Sequence, residues 1–446
     1  MKFIDWLRPG IKLKRWIMLG ALGILMIAFG LVEWVQHRIY SGYYIAFYIF
    51  LIAAGSFVLY LAVTQGMRSF IFLINRGYIN VSLDSRKLEN LIYEKRLLVK
   101  GPKLVVIGGG TGLSTMLRGL KHYTSNITAI VTVADDGGGS GDLREDLGIL
   151  PPGDIRNCIL ALADTEPLME ELLQYRFKGG RLDNQSFGNL FLAAMDGISS
   201  NFEQAVQKMS SVLAVTGKVL PVTLDNVILK AKLKNGLVVE GESKIPDAVE
   251  ENNSPIEKVF LEPSNARALY EAVQAIKDAD AVILGPGSLY TSVIPNLLIE
   301  DIGRAVQRTK ALKLYVSNIM TQPGETDGYG VAEHIKAIFK HAGSEVLDYV
   351  VVNSGKIDKA LEEKYLLENS TLVTLNEKDM AALEVKVIKS DFIKVRNGLI
   401  RHDSDKLAAA LIETIMDKKL LFDKKKIIEY FYLSERLKES KGIKNH

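Results

Sequence analysis

Three stretches of this chain set carboxylates, an arginine and runs of small residues close together: IGGGTG at 107–112, ADDGGGSGDLRED at 134–146 and LPPGDIRN at 150–157. A glycine turn between a strand and a helix gathers backbone N–H groups at a helix N-terminus, which suits an anion. Gly109, Gly110, Thr111 and Gly112 are therefore candidates for contact with a phosphate, the threonine adding a hydroxyl donor. A third turn of the same kind, LGPGSLYTS at 284–292, contributes Gly285, Gly287 and Ser288. One such turn often does no more than pack tightly, whereas three at successive strand ends point to a ligand. The dinucleotide fingerprint needs glycines at relative positions one, three and six. Counted from Gly108 the sixth position is Leu113, and from Gly110 it is Thr115, so the spacing argues against a nicotinamide dehydrogenase.

The carboxylates carry two possible roles. Asp135 lies 23 residues after Gly112, close to the spacing of an acid that takes a ribose hydroxyl in dinucleotide folds. Asp135 and Asp136 together could also hold Mg²⁺ on a substrate phosphate, since that ion needs only one or two protein carboxylates. The plain alternative is a pair of turn-forming aspartates. Asp154 is either a helix N-cap or a site residue. Arg156 and Asn157 follow it in the first helical turn, where an arginine gains nothing from the helix dipole. That placement predicts a task for Arg156, pairing either with a phosphate or with Asp154. Asp135, Asp154 and Asn157 are the candidates for any catalysis. In RLDNQSFGNLFLAAM (181–195), Asn184, Ser186 and Asn189 surround a glycine at a predicted helix start, neutral groups suited to sugar or base edges. The six histidines show no metal-ligand spacing, and neither a Walker loop nor a serine nucleophile elbow occurs, which argues against a zinc hydrolase and a P-loop ATPase.

These loops need strands to position them. Uninterrupted apolar runs at 104–107, 127–133 and 281–284 each lead into one, and ALKLYVSN and EVLDYVVVNSG repeat the pattern. Such runs alternating with helices predict a Rossmann-like, doubly wound, mainly parallel α/β sheet. Ligands bind such sheets beyond the carboxyl ends of the strands. Residues 219–241 alternate in polarity around Lys234-Asn235-Gly236, and predict an antiparallel hairpin inserted into or added to the sheet.

The chain is 446 residues long, more than one core usually serves. A net charge of +3 gives no argument for nucleic acid, and a single cysteine, Cys158, excludes an intramolecular disulfide and fits a reducing compartment. The mean hydropathy of +0.12 is high because of two uncharged runs, at 16–32 and 43–63. A helix crossing roughly 30 Å of hydrocarbon needs about 20 such residues. Basic residues flank the pair on both outer sides, which puts both ends and the main domain in the cytoplasm of a two-span cell-membrane protein. The alternatives are a cleaved signal peptide, disfavoured by the immediate second run, and a helical hairpin buried in a soluble core. The expected organisation is a membrane hairpin at 1–66 (spans near 16–35 and 43–63), a juxtamembrane linker at 67–102, the nucleotide-binding domain at 103–415 and a basic helical tail at 416–446. The linker's basic residues either rest on anionic lipid or face solvent.

IGGGTGLSTMLRGLK, ADDGGGSGDLRED, LPPGDIRNCILALAD, SFGNLFLAAM, LGPGSLYTSVIPNLL, NIMTQPGETDGY and LIRHDSDKLA stand here in the order seen in the YvcK-like gluconeogenesis factor family, which is similar to the CofD 2-phospho-lactate transferases. The resemblance covers about residues 103–415, and the N-terminal hairpin departs from the commoner soluble form. The transferase branch implies passage of a phospholactyl group from a guanosine diphosphate donor to a deazaflavin alcohol with Mg²⁺, Asp154 lying near the acceptor. The YvcK branch implies binding of UDP-sugars such as UDP-N-acetylglucosamine, with roles in cell shape and wall synthesis during gluconeogenic growth and no required cofactor. By motif position it also implies Tyr365 and Arg401 as contacts to the nucleotide sugar. Transferases carry an Asp-Arg-containing motif ending in histidine where this chain has GGRLDNQSFGNLFL, and they lack the MTQPGET run at 320–326; both differences favour the YvcK branch. Cell-wall synthesis proteins are the partners this implies, and the doubly wound class makes a homo-oligomer the expectation by analogy.

Overall fold

The computed structural model describes residues 13–36, 42–75, 98–165, 167–420 and 427–440. Most of the expected linker, and the tail at 421–426 and 441–446, lie outside the described residues. The chain divides into two compact units, Met1–Val99 and Lys100–His446.

In the first unit two helices, Leu13–Gln36 and Gly42–Asn75, pack against each other. The contacts run Gly20 to Ala62, Gly23 to Gly55 and Gly30 to Ile52, so the helices are antiparallel. The backbones touch where glycines face each other: a Cβ on Gly23 would stand 2.9 Å from the Gly55 carbonyl oxygen. Trp16–Val35 and Tyr44–Gln65 are long and apolar enough to cross a membrane, with only 11% of each buried.

The second unit is built on a seven-stranded parallel sheet ordered β10-β9-β8-β7-β1-β2-β3. Its strands are β1 (Leu104–Gly108), β2 (Ile127–Val131), β3 (Lys218–Pro221), β7 (Ala281–Leu284), β8 (Leu312–Val316), β9 (Tyr349–Asn353) and β10 (Lys386–Ser390). Every residue of β1 and β7 is buried, as a sheet covered on both faces requires. The chain winds from β1 outward to β3, then returns to β7 on the other side of β1. The switch point, where ligands enter such sheets, therefore falls between β1 and β7.

The expected hairpin is redistributed. Val219–Pro221 belongs to the parallel sheet through β3. The hairpin proper is β4 (Ile228–Leu233) with β5 (Val238–Glu240), and β6 (Ile256–Glu262) extends it to a separate three-stranded antiparallel sheet. Alternating polarity identified the half-buried β4, whose burial alternates residue by residue. It could not separate the preceding strand, which is apolar for a different reason. A further hairpin, β11 (Ile393–Arg396) with β12 (Leu399–His402), stands apart from both sheets, and β2 ends at Val131, two residues earlier than expected.

Candidate functional site

The carboxyl ends of β1 and β2 open onto two adjoining cavities. At β1 the helix Thr111–Leu120 starts inside the glycine run itself. The crowding there explains the small residues: a Cβ on Gly110 would stand 2.6 Å from the Asp154 Cα, and one on Gly112 2.7 Å from the Pro286 carbonyl carbon. Gly110 thus lets the β1 turn meet the helix Gly153–Leu162, and Gly112 lets it meet the β7 turn.

Asp154 lies in the first turn of the helix Gly153–Leu162, whose N-cap is Pro152. The N-cap alternative therefore fails. Its carboxylate instead accepts a hydrogen bond from the Gly110 N–H. Burial first, and then repulsion from Asp135, push Asp154 up to about 7, against the opposing effects of the Gly110 bond and Arg156. Asp135 accepts from the Gly137 N–H at 2.9 Å and is also raised, again chiefly by burial. Both aspartates line one cavity of about 250 Å³, together with Gly137–Gly139, Ser140, Gly153, Arg156, Asn157, Arg176, Asn184 and Asn189.

Asp136 points elsewhere, accepting from the Ser243 N–H at 2.8 Å. The two carboxylates that share the cavity are thus Asp135 and Asp154, not the sequence neighbours. Glu242, just after β5, lines neither cavity but is near enough to feel them, its carboxyl raised by burial first and then by Asp135, Asp154, Glu325 and Asp136. Among the described residues no three Asp, Glu, His or Cys side chains are placed to hold a metal ion between them. The cavity does fit an ion held by two carboxylates and completed by a ligand's phosphates, the usual manner of Mg²⁺.

Arg156 is buried, and its partners are all neutral. Nη1 donates to Ser186 Oγ and, at 2.8 Å, to Asn189 Oδ1, and Nη2 donates to Asn157 Oδ1 at 2.8 Å. Ser186 caps the helix Phe187–Gly197 by accepting from the Asn189 N–H at 3.1 Å, so the cap and the arginine clamp are one motif. Of these partners Asn157 and Asn189 line the cavity, whereas Ser186 holds Arg156 without lining it. Arg156 has no carboxylate within ion-pair distance among the described residues, so it is not paired with Asp154.

The β7 turn supports the β1 turn from the far side. The Gly287 N–H donates to Asn318 Oδ1 at 3.3 Å, and Ser288 Oγ donates to Gln322 Oε1 at 2.7 Å. Gln322 and Thr291 in turn donate to Glu325, a buried carboxyl raised by desolvation to about 7. Gly285, Gly287 and Ser288 do not line either cavity.

Tyr365 and Arg401 sit beyond β8. The Tyr365 hydroxyl accepts from the Ile400 N–H at 2.8 Å, and the ring packs with Ile319 and Ile400. Tyr365 thereby fixes β12, on which Arg401 is exposed opposite Lys394. His402 holds β12 to the backbone of Ser317, at the carboxyl end of β8. The strand that carries Arg401 therefore lies by the carboxyl end of β8 and not of β2. Sequence reading missed Arg118, Arg176 and Glu242. Arg176 carries a local signal only in its bridge to Ser186, which pairing across a loop creates and spacing does not reveal.

Residues 104–393 match the family described as 2-phospho-L-lactate transferase CofD. A Clostridium acetobutylicum protein is 71% identical over 444 residues, spanning 99% of this chain and 98% of its own. The gluconeogenesis factor of Bacillus subtilis is 48% identical over 317 residues, covering 71% of this chain and 99% of its own. A crystal structure of a UPF0052 family member from Bacillus halodurans superposes with a TM-score of 0.67 at 44% identity, with 71% of this chain and 99% of that one covered. The parallel sheet agrees with these likenesses, and the chain belongs to the gluconeogenesis factor family, built on a CofD-like domain.

Proposed function

We propose that this chain is a membrane-tethered factor that binds a nucleotide sugar of the UDP-N-acetylglucosamine type and serves wall synthesis and cell shape during gluconeogenic growth. The observation that carries the reading is the convergence of the β1 and β2 turns on two cavities that share Arg156, Asn157 and Arg176. One side offers carboxylates to hydroxyls; the other offers arginines to phosphates. Neighbouring strands lie about 4.8 Å apart, so β8, beside which the strand carrying Arg401 is anchored, stands about 14 Å along the sheet from β2. An elongated ligand such as a nucleotide sugar has the reach to engage both. Asp135 and Asp154 are the residues that would hold Mg²⁺ where it accompanies the ligand, with the ligand's own oxygens completing its shell.

The two N-terminal helices serve in this reading as the tether, with both ends and the sheet domain in the cytoplasm. Protease added to inside-out vesicles is expected to digest the sheet domain; protection would contradict that placement. For the ligand, the expected result is a rise in thermal stability of the detergent-solubilised chain with UDP-N-acetylglucosamine and none with NAD. Ligand at one hundred times its dissociation constant stabilises by about 2.7 kcal/mol. Arg401→Ala is expected to reduce that stabilisation with the unliganded transition unchanged, and an unaltered response removes Arg401 from the site.

A second reading, phospholactyl transfer to a deazaflavin acceptor, is favoured by one observation: Asp154 is held at about 7, where a carboxyl can both take and give a proton. Product formed from a guanosine diphosphate donor, the deazaflavin alcohol and Mg²⁺ would establish it over binding alone.

A further inference from the structure

The second cavity, of about 260 Å³, lies beside the start of the helix Thr111–Leu120 and has an arginine-rich wall. Thr111, Ser114, Arg118, Arg156, Asn157 and Arg176 line it, and no carboxylate does. We propose that Arg118, Arg156 and Arg176 form a diphosphate seat, so that the ligand lies with its phosphates in this cavity and a hydroxyl-bearing ring against Asp135 and Asp154 in the other. The proposal rests on the nucleotide-sugar reading for the class of ligand, but not for the seat itself.

Arg156 carries most of the weight. It is only 8% exposed, its Nε has no hydrogen-bond partner, and its other nitrogens reach only neutral oxygens. A buried guanidinium without a counter-charge is costly unless something supplies one. Its charged neighbour with the strongest effect is another cation, Arg176, whose repulsion outweighs the attraction of Asp154 or Asp135 taken singly. Arg176 itself is exposed and donates to the Asn184 carbonyl at 2.8 Å, which leaves the rest of its fork free to meet a ligand. Arg118 is half committed, bonded to Glu170 at 2.9 Å on the surface. Two guanidiniums held near each other, with helix N–H groups alongside, match a bidentate phosphate. Neither Arg118 nor Arg176 belongs to the glycine turns, so the seat is a feature of side chains gathered from three separate helices and loops.

Calorimetry on the full chain in detergent, with inorganic pyrophosphate, UDP, UDP-N-acetylglucosamine and uridine as probes, tests this. Pyrophosphate and UDP are expected to bind, with affinity falling as salt rises, while uridine binds far more weakly. Arg176→Gln is expected to weaken pyrophosphate and UDP roughly tenfold, Arg118→Gln less, and Arg304→Gln, a surface control paired with Glu300, not at all. Because Arg176 is exposed, loss of folding does not confuse the result. UDP-N-acetylglucosamine binding that ignores both Arg118→Gln and Arg176→Gln overturns the seat and leaves the nucleotide-sugar reading standing. Arginine-dependent pyrophosphate binding without any response to UDP-N-acetylglucosamine upholds the seat and overturns that reading.

Discussion

The two units spend their apolar residues in opposite ways. In the sheet, Val106, Ile107, Ile130 and Ile283 are fully buried, and their side chains are covered by helices on both faces. In the helix pair, Leu25 is 66%, Val35 66% and Phe50 67% exposed. The pair is held along one narrow seam of glycines, which buries little side-chain area and leaves the rest of each helix uncovered. Similar hydropathy thus produces a core in one region and an outward-facing apolar surface in the other. The lesson is that burial follows from having partners, and composition alone does not provide them. A surface this apolar on a two-helix unit is consistent with the proposed bilayer, where lipid supplies what protein does not.

This contrast can be broken most decisively by matched truncations. Ile107→Ala removes a fully buried side chain from the centre of the sheet and is expected to destabilise by about 2–5 kcal/mol in denaturant unfolding. A cost below about 1 kcal/mol would show that the sheet core tolerates loss as the helix pair does.

Asp154 offers the intermediate case, a group buried inside the well-packed unit with poor compensation. Its folded-state carboxyl titrates near 7 against an ordinary value of 3.8. Between those values the folded state holds more protons than the unfolded one, so stability falls as pH rises through this window and levels off above it. Asp154→Asn keeps the acceptor for the Gly110 N–H and removes the charge. The expected outcome is equal stability at pH 4, and a gain over the parent of about 2 kcal/mol by pH 8, read from thermal midpoints across pH. A gain that is the same at both pH values would show that the carboxylate is not what the site strains to hold. The same variant is expected to lose any Mg²⁺ dependence of ligand binding, since a neutral amide is a weak partner for that ion.

The smallest effect is expected at Phe50→Ala, whose ring packs mainly outward. In detergent the change should stay within about 0.5 kcal/mol, as surface substitutions do. A large loss would mean that the ring has a protein partner, and would blur the distinction between the units.

Much of the sheet was legible because its evidence is local. A buried parallel strand must be apolar throughout, and LVVIG, ITAIV and AVIL show that directly. Helix-length apolar runs announce the N-terminal pair for a similar reason. The small residues at 109–112 were legible as a tight turn, although only Thr111 of them lines a cavity, and the aspartates at 135 and 154 stood out beside glycine turns. The functional wall was legible only in part. Arg156 drew notice by sitting at the wrong end of a helix dipole, but its clamp by Ser186, Asn189 and Asn157 joins residues up to 33 positions apart.

By itself the chain determined where strands, turns and apolar helices form, because backbone sterics and hydrophobic periodicity act over a few residues. Only the folded structure decided which carboxylates face each other, pairing Asp135 with Asp154 and turning Asp136 toward Ser243. It alone brought Arg118 and Arg176 to Arg156, and used Tyr365 to anchor the strand that carries Arg401. Those choices depend on how the helices after β1 and β2 pack together and on loops meeting at one edge of the sheet. Such distances are fixed by tertiary packing, which no short window of sequence contains.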